Sequence, residues 1–284
     1  MSQYEKRGYL NGEFKLFHLS DIPTQEFEFH YHDFDKIIIF LKGNVNYIIE
    51  GKSYSLLPYD LVLVNHNDIH RPQIDPTVPY ERIIVYLSPR FMTSYQTIDY
   101  DLMDCFHRAK NALSDVLRIR ALEKSSLFQT IQQLEQAGHS KEYANELYGQ
   151  VLFLEFMIQL NRASLTHHLD FIQTEHCNQK VLQLMEYINL HLTADLSVEQ
   201  LAQTFYLSKY HMMRLFKQET GYTLGSYISS KRLLMAKRLL IREIPLTQVC
   251  FDCGFKNYST FSRAYKDFFG ESPTTTRSQT LLQF

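Results

Sequence analysis

The chain has 284 residues, which allows two or three compact units, and a formal net charge of only −2, which by itself indicates no partner. No stretch approaches about 18 consecutive apolar residues and the N-terminus lacks a signal-peptide pattern, which excludes a membrane protein and predicts a cytoplasmic one. The cysteines form no disulfide framework, in keeping with a reducing cytoplasm. They are Cys105, Cys177, Cys250 and Cys253, and the last two, a CxxC within one predicted helix, are predicted to be buried structural residues.

Charge is distributed unevenly along the chain. Residues 177–284 carry 13 Lys and Arg against 8 Asp and Glu, whereas residues 1–176 carry 16 against 23. An acidic part joined to a basic part is expected of a sensor attached to a nucleic-acid binder. Surface variation without function is the alternative explanation.

The first part of the chain is predicted to be a small β-barrel or sandwich. After a polar arm at residues 1–13, short runs rich in β-branched and aromatic residues alternate with turn signals such as Gly43 and Asn44. The predicted strands span residues 26–32, 36–41, 45–50, 61–64 and 81–87. We therefore expect one β-domain at residues 1–95.

Three histidines of this domain are expected to lie together. His30 and His32 alternate along one predicted strand, so both imidazoles face the same side, and His70 follows a later turn. The arrangement resembles a cupin barrel, in which three such histidines ligate a metal and a carboxylate is the fourth ligand. The fourth position here is Lys36, and a cation is expected to repel a metal. We therefore predict no metal and no cofactor.

Three interpretations of the histidines remain open. The favoured one is that His30, His32, Lys36 and His70 bind polar groups of a small effector inside the barrel. The second is that the histidines are ordinary structural residues, and the third is that they bind a metal. The surrounding aromatic residues are expected to be mostly core, with a few tyrosines available to an effector.

Residues 96–165 are predicted to be helical, continuing a pattern that begins near Pro89. One amphipathic helix is expected at residues 124–137 and a longer, strongly apolar one at residues 141–163. These helices either cover the barrel or pair two copies of the chain. We favour a homodimer, because residues 152–160 are more apolar than one buried face requires.

A linker is expected at residues 166–177, before a DNA-binding domain at residues 178–284. His167 and His168 are predicted to be solvated residues of this linker. The domain begins with a first helix-turn-helix unit at residues 197–218, where Ser197 followed by Gln200 forms a capping box and Ser208 caps the next helix. That second helix is predicted to present to DNA the side chains of Lys209, Tyr210, Met213, Arg214 and Lys217.

A second helix-turn-helix unit is predicted at residues 246–267. Pro245 precedes its first helix, Gly254 marks its turn and Asn257 can cap its last helix. The side chains predicted to face DNA are Asn257, Tyr258, Ser259, Arg263 and Lys266. Helices of this kind fit the major groove of double-stranded DNA, where Arg pairs with guanine or phosphate.

A long helix at residues 223–241 is predicted to connect the two units. About 19 helical residues span roughly 28 Å, close to the roughly 34 Å between successive major-groove faces. A rigid connector of that length would place the two recognition helices in neighbouring turns of one DNA face.

Residues 178–277 closely resemble the DNA-binding domain of AraC/XylS-type transcription regulators. The residues that carry the resemblance include Leu196, Leu201, Ala202, Leu207, Arg214, Phe216, Gly221, Tyr227, Ile228, Ala236, Gly254, Phe255, Phe261, Tyr265, Gly270 and Pro273. The resemblance implies that bases are read by Tyr210, Met213 and Arg214, and by Tyr258, Ser259 and Arg263. Two residues depart from the family: Tyr206 stands where Gly is common, and Met213, where a polar residue is usual, suits a thymine methyl.

The predicted fold is therefore multi-domain: a cupin-like β-barrel, central helices, and an all-α domain with two helix-turn-helix units joined by a long helix. The predicted function is sequence-specific regulation of transcription in response to an effector, with no enzymatic activity. The family resemblance implies a sugar or related metabolite as effector, and an activator more often than a repressor. The alternatives are a metal-dependent cupin enzyme with an accessory DNA-binding part, and an architectural DNA binder without an effector.

Overall fold

The computed structural model describes residues 5–6, 10, 12–22, 26–166, 169–174, 178–240 and 244–281. The chain divides into two compact units, Lys6–His176 and Cys177–Phe284, with Met1–Glu5 grouped with the second. The first unit is rich in strands and the second is helical, which confirms the predicted fold class. His167, His168, Cys177 and the predicted end of the connector at Ile241 lie outside the described residues.

Two sheets form the β-rich unit. The strands are β1 (Glu5–Lys6), β2 (Phe14–Asp21), β3 (His30–Tyr31), β4 (Asp35–Lys42), β5 (Val45–Ile49), β6 (Lys52–Ser55), β7 (Asp60–Val64), β8 (His70–Ile74), β9 (Tyr80–Leu87), β10 (Val116–Ile119) and β11 (Leu169–Phe171). One sheet has the strand order β1-β3-β8-β5-β6 and the other β11-β10-β7-β4-β9-β2. The strand predicted at residues 26–32 is shorter than expected, because only His30–Tyr31 pairs with a neighbour.

The central strands β4 and β7 of the larger sheet are buried on both faces, which explains their unbroken apolar runs. Ile37 and Ile39 on one face belong to a core shared with helices, whereas Ile38 and Phe40 on the other belong to a core shared with Tyr47 of the smaller sheet. Alternation of polar and apolar residues is lost when both faces of a strand are covered. The smaller sheet therefore lies against the larger one. His30 and His70 lie on its strands β3 and β8, and His32 directly follows β3.

Helices cover the other face of the larger sheet. They are α1 (Pro89–Thr93), α2 (Asp104–Asn111), α3 (Ser126–Ala137) and α4 (Asn145–Leu165), with a 3-10 turn at Leu122–Lys124. The prediction that residues 96–165 are wholly helical is wrong at Val116–Ile119, which is strand β10. This short apolar segment pairs with β7 and β11, both distant in sequence, and no local signal distinguishes it from a helical turn.

The second unit contains α5 (Gln179–Leu190), α6 (Val198–Thr204), α7 (Lys209–Thr220), α8 (Leu224–Leu239), α9 (Leu246–Asp252), α10 (Tyr258–Phe269) and α11 (Pro273–Leu281). The three predicted caps are confirmed. Ser197 Oγ accepts from Gln200 N–H at 3.2 Å, Ser208 Oγ from His211 N–H at 3.3 Å and Asn257 Oδ1 from Thr260 N–H at 2.8 Å. The connector α8 has 16 residues, or about 24 Å, and is shorter than predicted.

Two further predictions concern cysteines and membranes. Cys250 and Cys253 are buried free thiols, as predicted, although Cys253 follows the end of α9 rather than lying within it. Burial raises the pKa of the Cys253 thiol to about 12, so this sulfur stays protonated at neutral pH. Among the described residues, no helix combines the length and the apolar character needed to cross a lipid bilayer.

Candidate DNA-binding surface and effector site

The outer side of α7 carries the five residues predicted for the first helix-turn-helix unit. Lys209, Tyr210, Met213, Arg214 and Lys217 are all exposed, while Met212 and Phe216 on the opposite side are buried. Lys209 Nζ lies 2.5 Å from Glu199 Oε1 on α6. The Arg214 guanidinium lies 6.0 Å from the centroid of the Tyr210 ring. Because the Tyr210 ring and the Arg214 guanidinium are both exposed, α7 offers one aromatic and several cationic side chains to a partner.

The outer side of α10 carries the residues predicted for the second unit. Ser259, Arg263 and Lys266 are exposed, whereas Tyr258 is half-buried and its ring centroid lies 5.9 Å from that of Phe261. The Asn257 side chain is also exposed, but its Oδ1 already caps the helix. Asn257 can therefore offer its amide N–H groups, and the remaining lone pair of Oδ1, to a partner.

The turns of the two units have the same backbone hydrogen bond. Leu207 N–H donates to Ala202 O at 2.9 Å in the first turn, and Phe255 N–H donates to Cys250 O at 3.1 Å in the second. Tyr206 occupies the left-handed region, with φ of 52°, where the second unit has Gly254 with φ of 80°. The departure from Gly at Tyr206 therefore leaves the turn intact, at a conformational cost.

The candidate effector site is a buried cluster on the smaller sheet. His30 and His70 are directly opposite each other in the pairing of β3 with β8, and their ring centroids lie 4.4 Å apart. His32 follows β3, and its ring stacks on Phe34 with centroids 4.7 Å apart. One ring nitrogen from each of the three histidines lies within 4.8 Å of the others. The structure thus brings together all three histidines that the sequence analysis selected.

Backbone carbonyls orient two of these rings. His30 Nδ1 lies 2.8 Å from Glu28 O, and His70 Nδ1 lies 2.9 Å from Asp68 O. A carbonyl oxygen can only accept, so the hydrogen-bond network assigns the proton of each neutral ring to Nδ1. Burial, followed by the charge of Lys36, holds the pKa of His70 well below its ordinary value. Nε2 of the neutral ring is therefore an acceptor that points away from the backbone.

Lys36 on β4 completes the cluster. Its Nζ lies 3.5 Å from His32 Nε2, 3.4 Å from His70 Nε2 and 3.4 Å from the Tyr47 hydroxyl. Burial, with a smaller contribution from Arg82, lowers the pKa of the Lys36 amine to about 7. Burial therefore favours the neutral form of the Lys36 amine, which the sequence analysis took as a cation.

Sequence reasoning missed which tyrosines join the cluster. The Tyr47 hydroxyl contacts Lys36 Nζ, and Tyr86 lies opposite Lys36 in the pairing of β4 with β9. The Tyr86 ring centroid lies 4.2 Å from that of Phe34 and 5.9 Å from that of His32. The pairing register would have identified Tyr86, but register depends on contacts between distant strands, which one sequence does not specify.

An exposed apolar stripe runs along α4. Leu147, Val151, Ile158 and Leu165 are each at least 40% exposed. Their spacings of four and seven residues place them on one side of the helix. The opposite side, with Phe153, Phe156 and Leu160, belongs to the core of the β-rich unit. One face of α4 thus covers the sheet while the other remains available.

Known proteins share both units. The family described as a helix-turn-helix domain matches residues 201–279, and the AraC-like ligand binding domain matches residues 16–152. The HTH-type transcriptional activator RhaS of Enterobacter sp. (strain 638) is 25% identical over 260 residues, which cover 90% of this chain and 89% of RhaS. RhaS of Escherichia coli O139:H28 is 23% identical over 260 residues, which again cover 90% of this chain and 89% of RhaS. Among solved structures, a probable AraC family transcriptional regulator from Rhodopseudomonas palustris CGA009 is 28% identical, covering 36% of this chain and 98% of that chain, with a TM-score of 0.34.

A cupin-like ligand-binding unit and two helix-turn-helix units in one chain define an effector-responsive, DNA-binding transcription regulator. The chain belongs to the AraC/XylS family of such regulators. The relatives to which it is similar are named as transcriptional activators.

Proposed function

We propose that this regulator activates transcription when a sugar or a related small metabolite binds at His30, His32, Lys36 and His70. The observation that carries the proposal is the convergence of the Lys36 amine and three imidazoles in the buried space between the two sheets. These groups, with the Tyr47 hydroxyl, both donate and accept hydrogen bonds, as the hydroxyl groups of a sugar require. The neighbouring rings of Phe34 and Tyr86 suit the apolar face of a sugar ring. The activator names of the relatives support the direction of regulation.

The DNA contacts follow from the exposed sides of α7 and α10. Arg214 and Arg263 pair with guanine edges or phosphates, and Met213 meets a thymine methyl. Lys209, Lys217 and Lys266 contact phosphates, while Tyr210, Asn257, Tyr258 and Ser259 complete the two surfaces. The basic balance of residues 177–284 supports this assignment, since phosphate contacts supply most of the non-specific affinity.

The exposed stripe on α4 supports a homodimer of this cytoplasmic, non-enzymatic protein. Leu147, Val151, Ile158 and Leu165 are exposed apolar side chains on one side of α4, and a second copy of the same stripe is a self-complementary partner. The proposed organisation is an effector domain at residues 1–95, a dimerisation region at 96–165, a linker at 166–177 and a DNA-binding domain at 178–284. The effector would then shift the equilibrium between two placements of paired DNA-binding domains, through its different affinity for each.

The effector assignment is tested with the full-length chain and a panel of neutral sugars and sugar acids, by melting temperature and by DNA affinity. A sugar at 100 times its Kd should stabilise the chain by about 2.7 kcal/mol. His70→Gln should abolish that shift, while the matched control His107→Gln, an exposed histidine on α2, should keep it. A shift that survives in His70→Gln would place the effector elsewhere, and no shift with any sugar would favour the effector-free binder.

The homodimer is tested by introducing a charge into the stripe. Val151→Glu should convert the dimer to a monomer in sedimentation experiments, because it puts a carboxylate into a closely packed apolar contact. Ile98→Glu is the matched control, since Ile98 is a fully exposed apolar residue that does not belong to the stripe. An unchanged dimer in Val151→Glu would show that subunits pair through another surface, and a monomeric parent chain would exclude the dimer.

A further inference from the structure

The β-rich unit ends in a segment that is built into its sheets. Residues 169–174 lie within the stretch predicted to be a linker, and they precede the DNA-binding unit in the chain. Strand β11 in this segment pairs with β10 and forms the edge of the larger sheet. The next residue, Ile172, donates its N–H to Val116 O at 2.9 Å. Over these residues the chain is therefore part of the folded unit rather than a free tether.

The same segment also contacts the smaller sheet. Thr174 Oγ1 accepts a hydrogen bond from Ser53 N–H at 3.1 Å and donates one to Ser53 O at 2.9 Å. Ser53 belongs to β6, the edge strand of the smaller sheet. Residues 169–174 thus begin in one sheet and end on the other. They span the junction of β6 with β10 and β11, which we call the seam.

A buried carboxylate closes the seam beside this segment. Asp115, directly before β10, accepts hydrogen bonds from Lys52 Nζ at 2.7 Å and from the Tyr54 hydroxyl at 3.0 Å, both on β6. The Asp115 N–H donates to the Tyr54 hydroxyl oxygen at 3.1 Å. Among the described strands, β6 and β10 belong to different sheets and share no backbone ladder. Fewer hydrogen bonds must therefore break to open the seam than to separate two paired strands.

The seam is one wall of the space that holds the histidine–lysine cluster. Tyr54 lies opposite Tyr47 in the pairing of β5 with β6, and the Tyr47 hydroxyl lies 3.4 Å from Lys36 Nζ. Ile172 packs against the core to which both tyrosines belong. His70 of the cluster is 0% exposed, so a small molecule can reach it only when the surrounding structure opens.

We propose that residues 169–174 act as a strap over the seam, and that undocking of the strap and opening of the space between the sheets are one two-state event. Entry of an effector through the seam would then release the segment that leads to the DNA-binding unit. Because coupling is reciprocal, a ligand that favours the open form weakens strap docking by the same factor by which undocking strengthens ligand binding. The inference rests on the proposed function for its regulatory meaning alone, since the strap is measured without effector and without DNA.

The first test removes the contact of the strap with the smaller sheet in the full-length chain. Thr174→Val keeps the shape of the side chain and loses both hydrogen bonds to Ser53. We expect His70 to react about 5-fold faster with diethyl pyrocarbonate, followed by mass spectrometry, as the loss of one hydroxyl's hydrogen bonds implies. His70 lies on β8, two strands away from β6, so its reaction reports opening of the interior. The exposed His107 gives the reference rate.

The second test changes the seam and measures the strap. Tyr54→Phe removes the hydroxyl that joins β6 to Asp115. We expect amide hydrogen exchange of residues 169–171 to become about 5-fold faster. The amides of residues 37–39, in the central strand β4, should keep the rate of the parent chain because the opening is local. Thr166→Val is the matched control for both tests, since its hydroxyl bonds to carbonyls of α4, and it should change neither rate.

Unchanged modification of His70 in Thr174→Val would overturn the proposal, because residues 169–174 would then be an ordinary edge segment. Unchanged exchange of residues 169–171 in Tyr54→Phe would overturn the coupling from the other side. Faster exchange of residues 37–39 in either variant would mean that the whole unit unfolds, and would exclude a separate strap. If circular dichroism shows that one variant fails to fold, the other decides. A sugar panel without any binder would remove the proposed effector and leave both strap measurements valid.

Discussion

The two helix-turn-helix units have the same turn but specify it in different ways. In each, one residue of the turn between the two helices is in the left-handed region, Tyr206 in the first helix-turn-helix unit and Gly254 in the second. Tyr206 is 95% exposed, so its side chain extends into solvent. A Cβ on Gly254 would lie 2.5 Å from Leu192 O and 2.9 Å from Arg232 Nε. The first turn therefore tolerates a side chain, whereas the second excludes one.

This difference shows that a glycine at a turn can be needed for two separate reasons. One is the backbone conformation, which costs an L-residue roughly 1–2 kcal/mol in the left-handed region. The other is close contact, which no other residue can satisfy. Only the second requirement is strict, and it applies only to the turn that packs against Arg232.

The largest expected effect comes from Gly254→Ala. The new Cβ would meet a backbone oxygen at 2.5 Å, so we expect the free energy of unfolding to fall by about 3–4 kcal/mol, from backbone strain and overpacking together. Urea denaturation measures the loss. Gly270→Ala is the matched control, since Gly270 has a similar φ of 78° but no atom within 4 Å of its Cβ position, and it should cost about 1 kcal/mol. Equal losses at the two glycines would refute the argument from close contact.

The next effect is on DNA affinity and compares the two recognition helices. Arg263→Ala and Arg214→Ala should each weaken operator binding by about 1–3 kcal/mol if each side chain pairs with a base. Titrations at matched salt give the affinities, and Lys180→Ala, an exposed cation on α5, serves as the control. Unchanged affinity in both arginine variants would remove these residues as readers. A loss in one alone would show that a single unit carries the specificity.

The smallest effect is expected at the first turn. Tyr206→Gly should raise the free energy of unfolding by up to about 1 kcal/mol, because relief of the left-handed strain exceeds the added freedom of the unfolded chain. Tyr206→Ala, which keeps the strain, should leave stability nearly unchanged. The two variants are compared by thermal unfolding at the same pH. A loss of stability in Tyr206→Gly would mean that the tyrosine side chain contributes a contact despite its exposure.

Local sequence signals predicted the helical DNA-binding unit better than the β-rich unit. Caps at Ser197, Ser208 and Asn257 were identifiable because each concerns only the next three residues. Strand β10 was missed because its partners β7 and β11 lie about 50 residues away on either side. Long-range pairing is also what brings His30 opposite His70, which the family resemblance supplied and the spacing alone could not.

The ionisation of Lys36 shows a second limit of sequence reasoning. Its position beside the histidines was predicted, but its charge was taken as fixed. The pKa of about 7 arises from complete burial between the sheets, and burial of a single side chain is a property of the whole fold. The chemical character of the cluster therefore could not be read from the residues that compose it.

Arg232 gives the DNA-binding unit a property that neither helix-turn-helix unit has alone. Its Nε donates to Leu192 O at 2.8 Å and its Nη2 to Ala194 O at 2.7 Å, while the same side chain fills the space beside Gly254. The guanidinium of Arg232 on the connector α8 thus holds together three segments. They are α8 itself, the segment between α5 and α6, and the turn between α9 and α10. These three segments should exchange their amide hydrogens as one cooperative unit. The two recognition helices are then aligned when the protein folds, and the entropy cost of aligning them is included in folding. DNA binding therefore loses little further conformational entropy when both helices contact DNA.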